Sequence, residues 1–272
     1  MIIDWKLKGG IMAKIISLVN QKGGVGKTTT SINLAAALGK EGKKTLLVDL
    51  DPQGNASTGL GLNNNDFEND IYDVITGVCE IKDAIIKTKF KNLSIIPATI
   101  NLAGVDVEFV KKMLEDETFK QNEQLKNSLE TIREKYDYII IDCQPSLGIS
   151  TMNALVASDS VIIPVQCEYY ALEGITQLLN SIILVQSNLN PNLRIEGVLL
   201  TMLDGRTNIG LDIIEEVRKY FKSKVFNTII PRLVRLVEAP SHGKPISDYD
   251  PTSRATLAYQ NLAKEVISRN GD

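Results

Sequence analysis

The segment Lys22-Gly23-Gly24-Val25-Gly26-Lys27-Thr28-Thr29 packs two lysines, three glycines and two hydroxyls between an apolar run and a stretch of helical period. That context is what turns a glycine-rich pattern into a phosphate-binding loop. Gly23, Gly24, Val25 and Gly26 let backbone N–H groups converge on phosphate oxygens, and a helix starting near Lys27 aims its positive dipole end at the same charge. Lys27 is placed to lie along the β- and γ-phosphates of ATP, Thr28 to bind Mg²⁺ through its hydroxyl, and Thr29 to donate to the α-phosphate. The usual pattern, G-x-x-x-x-G-K-S/T, has glycine where this chain has Gln21. The loop is therefore a deviant one, of the form K-G-G-x-G-K-T, opened by the second lysine, Lys22.

Two further apolar runs end in carboxylates, Leu46-Leu47-Val48-Asp49-Leu50-Asp51-Pro52-Gln53-Gly54-Asn55 and Tyr138-Ile139-Ile140-Ile141-Asp142. In parallel α/β sheets ligands sit at the carboxyl ends of strands, so both acids can face the phosphate loop. Asp142 reads as the Walker B acid, on Mg²⁺ directly or through its water. Asp51 is the better candidate to orient the attacking water, because phosphoryl transfer needs a nucleophile-positioning group distinct from the metal ligand. Thr28, Asp51 and Asp142 together form the expected metal site, and Asp49 is either near the metal shell or structural.

The bulk numbers set the frame. At 272 residues and 43% hydrophobic content the chain can bury a full core. It holds no run of about 18 uncharged apolar residues, the length a membrane span needs. The N-terminus carries Asp4 and Trp5 and lacks the apolar core of a secretory signal. Cys79, Cys143 and Cys167 have no CxxC spacing, which suits a reducing cytoplasm. Cys143 beside Asp142 reads as a buried, inert thiol, not as an iron-sulfur ligand. The net charge is −3, yet the stretch Arg194–Arg254 is net positive and the chain before it net acidic. Any polyanion contact must come from a local patch in the C-terminal third.

Strands are predicted at Lys14–Val19, Thr45–Asp49, Leu93–Ile96, Tyr138–Ile141, Ser160–Val165, Ile195–Thr201 and Val225–Ile230. Helices are predicted at Lys27–Leu38, Asp106–Glu134 with a break, Ile149–Ala157, Leu172–Ser187, Ile209–Phe221 and Ser253–Ser268. This alternation implies a single α/β domain, a P-loop NTPase with a mostly parallel twisted sheet flanked by helices. It covers residues 13–270. Residues 1–12 read as a disordered or non-native extension, with translation beginning at Met12, because Lys8-Gly9-Gly10 can be encoded by a purine-rich ribosome-binding stretch.

The matching segments Asn20–Leu38, Leu46–Leu62 with DLDPQGNASTGLG, Tyr136–Gly148, Pro164–Gly174, Thr201–Gly210 and Ile230–Val266 with PRLVRLVEAPSHGKPISDYDP resemble the ParA/Soj family of DNA-partitioning ATPases. The resemblance reaches from the first strand to the last helix. It implies a homodimer closed over two ATP molecules, with each Lys22 reaching the partner's phosphates as an arginine finger does elsewhere. It implies slow ATP hydrolysis, stimulated by a ParB-like protein and DNA, and chromosome or plasmid segregation with a possible role in replication initiation. Non-specific double-stranded DNA would be bound by the ATP dimer alone, through Arg206 and Arg235, which puts the protein on the nucleoid. Pro231 and Arg232 fall where the family cradles adenine. The chain departs from the family at Gln144, where proline is usual, at Ala255, where glycine often follows the arginine, and at Leu236-Val237-Glu238.

Read without the family, Arg206 lies in a turn and Arg235 precedes Glu238 by three residues, a spacing that also allows an exposed helical ion pair. Arg218, Lys219, Lys222 and Lys224 read equally as DNA contacts or as a solvated helix face. His242 has no metal or triad partner pattern and reads as a structural loop residue. Along the last helix Leu257, Leu262, Val266 and Ile267 form a core-facing stripe, and the opposite face lacks the lysines and bulky aromatics of a membrane-surface helix. The rival reading is an ATP-dependent small-molecule synthetase of related fold, and a third is positioning of a protein cargo.

Overall fold

The computed structural model describes residues 12–168, 175–204 and 208–271. Strands β1 (Lys14–Leu18), β2 (Thr45–Leu50), β3 (Ile86–Lys87), β4 (Leu93–Ile96), β5 (Tyr138–Cys143), β6 (Ser160–Gln166) and β7 (Arg194–Thr201) form one sheet in the order β3-β4-β2-β5-β1-β6-β7. All pairings are parallel except β3 with β4. The helices are α1 (Lys27–Lys40), α2 (Asn55–Gly59), α3 (Ile71–Ile75), α4 (Val105–Glu115), α5 (Gln124–Glu130), α6 (Ile149–Ala157), α7 (Ile175–Asn188), α8 (Asn208–Phe221), α9 (Val234–Ser241), α10 (Ile246–Tyr249) and α11 (Arg254–Arg269).

The strands are continuous apolar runs because both faces of the sheet are covered. Side chains alternate between two cores. Ile15, Leu46, Val48, Ile139 and Ile141 face α3 to α8, while Ile16, Leu18, Leu47 and Ile140 face α1, α9 and α11. The chain leaves β1 through α1 on one face and leaves β5 through α6 on the other. The crevice at the carboxyl ends of β1 and β5 is thus a topological switch point, where open α/β sheets bind ligands. Helix α1 is Ala- and Leu-rich and ends at Lys40; just past it, Gly42 with φ of 91° lets the Lys43 amide reach the Leu38 carbonyl at 3.1 Å.

The α/β class, the parallel sheet and six of the seven expected strands are present. Val225–Ile230 is not a strand. Phe226 and Ile230 donate to the β7 carbonyls of Val198 and Leu200, but the intervening amides of Asn227 and Thr228 turn to the Glu265 carboxylate of α11 at 2.9 and 3.1 Å, so no ladder propagates. The break expected within Asp106–Glu134 separates α4 from α5. The short elements β3, α2, α3, α9 and α10 lie where no helix or strand was predicted, since none is long enough to display a period. Leu257 does not join the core stripe of α11. It is 57% exposed, because it lies about 140° around the helix from Leu262. Leu262 and Val266 are buried and Ile267 packs at the edge. No helix among the described residues is long and apolar enough to cross a membrane. Residues 1–11 lie outside the described residues.

Candidate functional site

The loop after β1 is held from three sides. Asn20 Nδ2 donates to the Pro164 carbonyl at 2.7 Å, the Lys22 backbone amide donates to Asn20 Oδ1 at 3.0 Å, and Thr201 Oγ1 donates to the Val25 carbonyl at 2.8 Å. The first and last of these anchors come from β6 and the end of β7, so the sheet holds the loop in addition to its own Asn20–Lys22 contact. Gly24 and Gly26 have φ of 74° and 89°, conformations that L side chains rarely adopt. A Cβ on Gly23 or Gly24 would meet nothing within 4 Å, which leaves the loop's inner face open.

That face lines a cavity of about 560 Å³ with Gly23, Gly24, Gly26, Lys27, Thr28 and Thr29 on one side and Asp51, Pro52, Gln53, Asn55, Gln144, Pro145 and Met202 on the other. The sequence-predicted loop residues and Asp51 therefore converge. Lys27 is nearly buried, and its Nζ donates to the carbonyls of Asn20 at 2.9 Å and Lys22 at 3.1 Å. Burial pulls its ammonium below the usual lysine range, against the opposing pull of Asp142, Cys143 and Asp51. The Lys22 side chain is exposed at the lip of the loop.

Asp142 is fully buried beneath the cavity. Its Oδ1 accepts from Ser31 Oγ at 2.8 Å and the Thr28 hydroxyl also bonds to it, while its Oδ2 is buried without a hydrogen-bond partner among the described residues. A buried, half-satisfied carboxylate beside a hydroxyl is the donor set a hard divalent cation takes. Burial first, with Asp51 adding to it, pushes the Asp142 carboxyl up to about 6. Asp49 stands opposite Asp142 in the β2–β5 register and is equally buried. Burial, reinforced by Asp142, pushes it up to about 7. Asp51 is 9% exposed and accepts the Gln53 amide at 3.0 Å. Cys143 is buried and burial raises its thiol well above the ordinary range, which makes it inert.

Pro231 bridges Leu203 and the Arg232 amide donates to the Leu203 carbonyl at 3.0 Å, so both pack beside the segment after β7 that carries Met202, although neither lines the cavity. Arg235 projects from α9, 58% exposed, with Glu238 at 3.9 Å and Asp250 at 3.7 Å. These ion pairs are long and solvated, worth little to stability. Arg206 lies outside the described residues. Lys222 and Lys224 are exposed, as are Arg218 and Lys219. His242 stacks on Tyr249 at 5.0 Å, in keeping with its structural reading. Sequence reasoning missed Gln53, Asn55, Gln144, Pro145 and Met202 as cavity residues. For Gln53, Asn55, Gln144 and Pro145 the signal was their place directly after strands already predicted to carry the site; Met202, after β7, had none.

A family described as "AAA domain" matches residues 13–195. The chain is 60% identical over 257 residues to the sporulation initiation inhibitor protein Soj of Bacillus subtilis (strain 168), covering 94% of this chain and 99% of that one. It is 50% identical to the chromosome-partitioning ATPase Soj of Treponema pallidum (strain Nichols), over 96% of this chain and 99% of that one. Among solved structures, cobyrinic acid a,c-diamide synthase of Mycobacterium smegmatis, with a bound ATP analogue and magnesium, superposes with a TM-score of 0.84 at 33% identity, each chain covered to 96%. The fold is thus shared between partitioning and synthetase proteins, and the sequence identity separates them: with the deviant loop, its two lysines and the carboxylates in place, the chain belongs to the ParA/Soj family of P-loop ATPases.

Proposed function

We propose that this protein is the ATPase of a DNA-segregation system, hydrolysing ATP to ADP and phosphate as a nucleotide-dependent homodimer. The observation that carries the reading is that Lys27, Thr28 and Asp51 line one cavity, with Asp142 buried and bonded to Ser31 of α1 and a second lysine, Lys22, exposed at the start of the loop. The unpartnered Asp142 oxygen and the open inner face of the loop fit Mg²⁺ and a triphosphate. A bound Mg²⁺, held on the protein side by Thr28 and Asp142, would supply charge neutralisation for the transferring phosphoryl group. Around it Gly23, Gly24, Val25 and Gly26 offer backbone amides, Lys27 holds the β- and γ-phosphates and Thr29 the α-phosphate. Thr28 and Asp142 hold the metal side, and Asp51 accepts a hydrogen bond from the attacking water. Pro231 and Arg232 flank the adenine.

A solvated ammonium at the lip serves this reading because a lone protomer gives Lys22 nothing to neutralise, whereas a facing protomer brings its phosphates within reach. DNA binding by Arg206 and Arg235 follows the same logic. Two protomers joined by ATP present two copies of each patch to one duplex, which lets a net-acidic chain bind a polyanion. A ParB-like protein then stimulates turnover, and the protein resides on the nucleoid in the cytoplasm. Residues 13–270 form the working domain.

Replacing Asp51 by Ala tests the assignment. ATP affinity is expected to persist while hydrolysis falls by about 100-fold or more, the scale of a lost general-base contact, and light scattering should find an ATP-bound dimer. A variant that turns over normally would refute the role of Asp51. Replacing Arg206 or Arg235 by Glu should abolish ATP-dependent duplex binding and leave ATP-driven dimerisation intact. Loss of dimerisation in either would make that arginine structural.

A further inference from the structure

We propose that Asp49 is a positioning residue for hydrolysis, stapling both ends of the loop that carries Asp51. The inference rests on the reading of Asp51 as the group that orients water. Asp49 is fully buried and does not line the nucleotide cavity, whereas Asp51, Pro52, Gln53 and Asn55 do. Its Oδ1 accepts from the Asp51 amide at 3.3 Å, at the start of the loop. Its Oδ2 accepts from the Ser57 amide at 2.8 Å and from Ser57 Oγ at 2.7 Å, at the end of it. One carboxylate therefore fixes the distance between the two ends of the segment that presents Asp51 to the phosphates.

The far end of the staple is tied to the sheet. Ser57 Oγ accepts the Ala98 amide at 3.2 Å, just beyond β4. Gly54, with φ of 62°, lies so close to β4's extension that a Cβ there would stand 2.9 Å from the Ala98 carbonyl oxygen. The loop is thus clamped from below by Asp49 and from the side by Ala98. Three donors converge on Asp49, so both of its oxygens are needed as acceptors. An asparagine would present an NH₂ to N–H or O–H donors at one of the two ends, and that end would come loose. A polar group buried in this way is retained at a cost in desolvation, and Asp142 directly opposite adds repulsion. Loop geometry is what it returns.

Mispositioning a reacting group by about 1 Å costs on the order of 100-fold in rate. Asp49→Asn is therefore expected to slow ATP turnover by about 100-fold while ATP affinity changes by less than about threefold, since the phosphate loop is untouched. Because Asp49 acts through Asp51, the double variant Asp49→Asn/Asp51→Ala should be no slower than Asp51→Ala alone. Ser57→Ala removes one of the three donors and should slow turnover about fivefold. Single-turnover hydrolysis and nucleotide titration on the four variants decide the matter. Multiplicative losses in the double variant, or normal turnover in Asp49→Asn, would overturn the positioning role. If Asp49→Asn does not fold, normal turnover in Ser57→Ala overturns it instead. Normal turnover in Asp51→Ala is a separate outcome, since it removes the reading of Asp51 on which the proposal stands.

Discussion

The two ends of the same sheet treat charge in opposite ways. At the amino end, where β1, β5, β6 and β7 begin, charged groups are saturated. Arg133 donates through Nε to the Ala13 carbonyl at 3.0 Å, to Glu130 at 2.7 Å and to both oxygens of Asp159 at 2.7 Å, and Asp159 also accepts the Ile15 amide at 2.8 Å. Arg269 bonds the Glu196 and Val225 carbonyls and Glu265 while lying 4.0 Å over the Phe226 ring. At the carboxyl end, one oxygen of the fully buried Asp142 has no partner among the described residues, and the nearly buried Lys27 donates to carbonyls of its own loop. Saturated charge stitches strands and helices together. Charge buried at a deficit costs stability and is retained where a ligand completes it.

The sharpest way to break that comparison is to disarm the carboxyl end. Lys27→Ala removes the cation from the phosphates, a charged contact worth about 3 kcal/mol, so ATP affinity should fall by about 100-fold, with dimerisation and DNA binding lost in consequence. Isothermal titration showing unchanged affinity would refute the loop assignment. Lys22→Ala separates the protomer from the dimer: ATP affinity should stay within about threefold, while ATP-dependent dimerisation and stimulated turnover fall by about tenfold or more. Sedimentation and stimulated ATPase assays read both.

Disarming the amino end should do the reverse. Arg133→Ala strands the Asp159 carboxylate and should lower unfolding stability by about 1–3 kcal/mol, the cost of leaving a part-buried charged group unpaired. ATP affinity measured on the folded variant should be unchanged. A loss of affinity without a loss of stability would erase the distinction between the two ends.

The smallest effect is on pH. Asp49, raised to about 7 from an ordinary 3.8, binds its proton more tightly in the folded than in the unfolded chain. Its stabilising contribution is complete below the unfolded value and is lost as pH rises through about 7. The nucleotide-free protein should therefore melt about 2–4 °C lower at about pH 8 than at about pH 6, and Asp49→Asn should reduce that difference to what Asp142, raised to about 6, still contributes. Differential scanning calorimetry with and without the substitution checks the sign.

Much of the site was legible because phosphate chemistry demands unusual residues at fixed spacing. Glycines at 23, 24 and 26, the lysine at 27 and a carboxylate ending each of two apolar runs suit little besides a bound nucleotide and its metal. The strands were legible because a sheet covered on both faces writes itself as uninterrupted Ile, Leu and Val. Elements of four or five residues, such as α2 and α10, left no such mark, and neither did the choice of the Asn227 and Thr228 amides for Glu265 over a β-ladder. That partner lies 37 or 38 residues away in sequence.

By itself, then, the sequence determined the fold class, the phosphate loop and which carboxylates stand at the ends of strands, since these follow from local residue type and period. The sequence sets Asp51 at the water and leaves Asp49 either near the metal shell or structural; only the tertiary structure decided that Asp49 lies outside the cavity. The two are separated by a single residue at the end of β2, and spacing alone does not say which of them enters the cavity. The difference lies in what the rest of the chain brings to each: Ser57 and Asp142 close over Asp49 and take it out of the cavity, whereas Asp51 is left facing the phosphate loop.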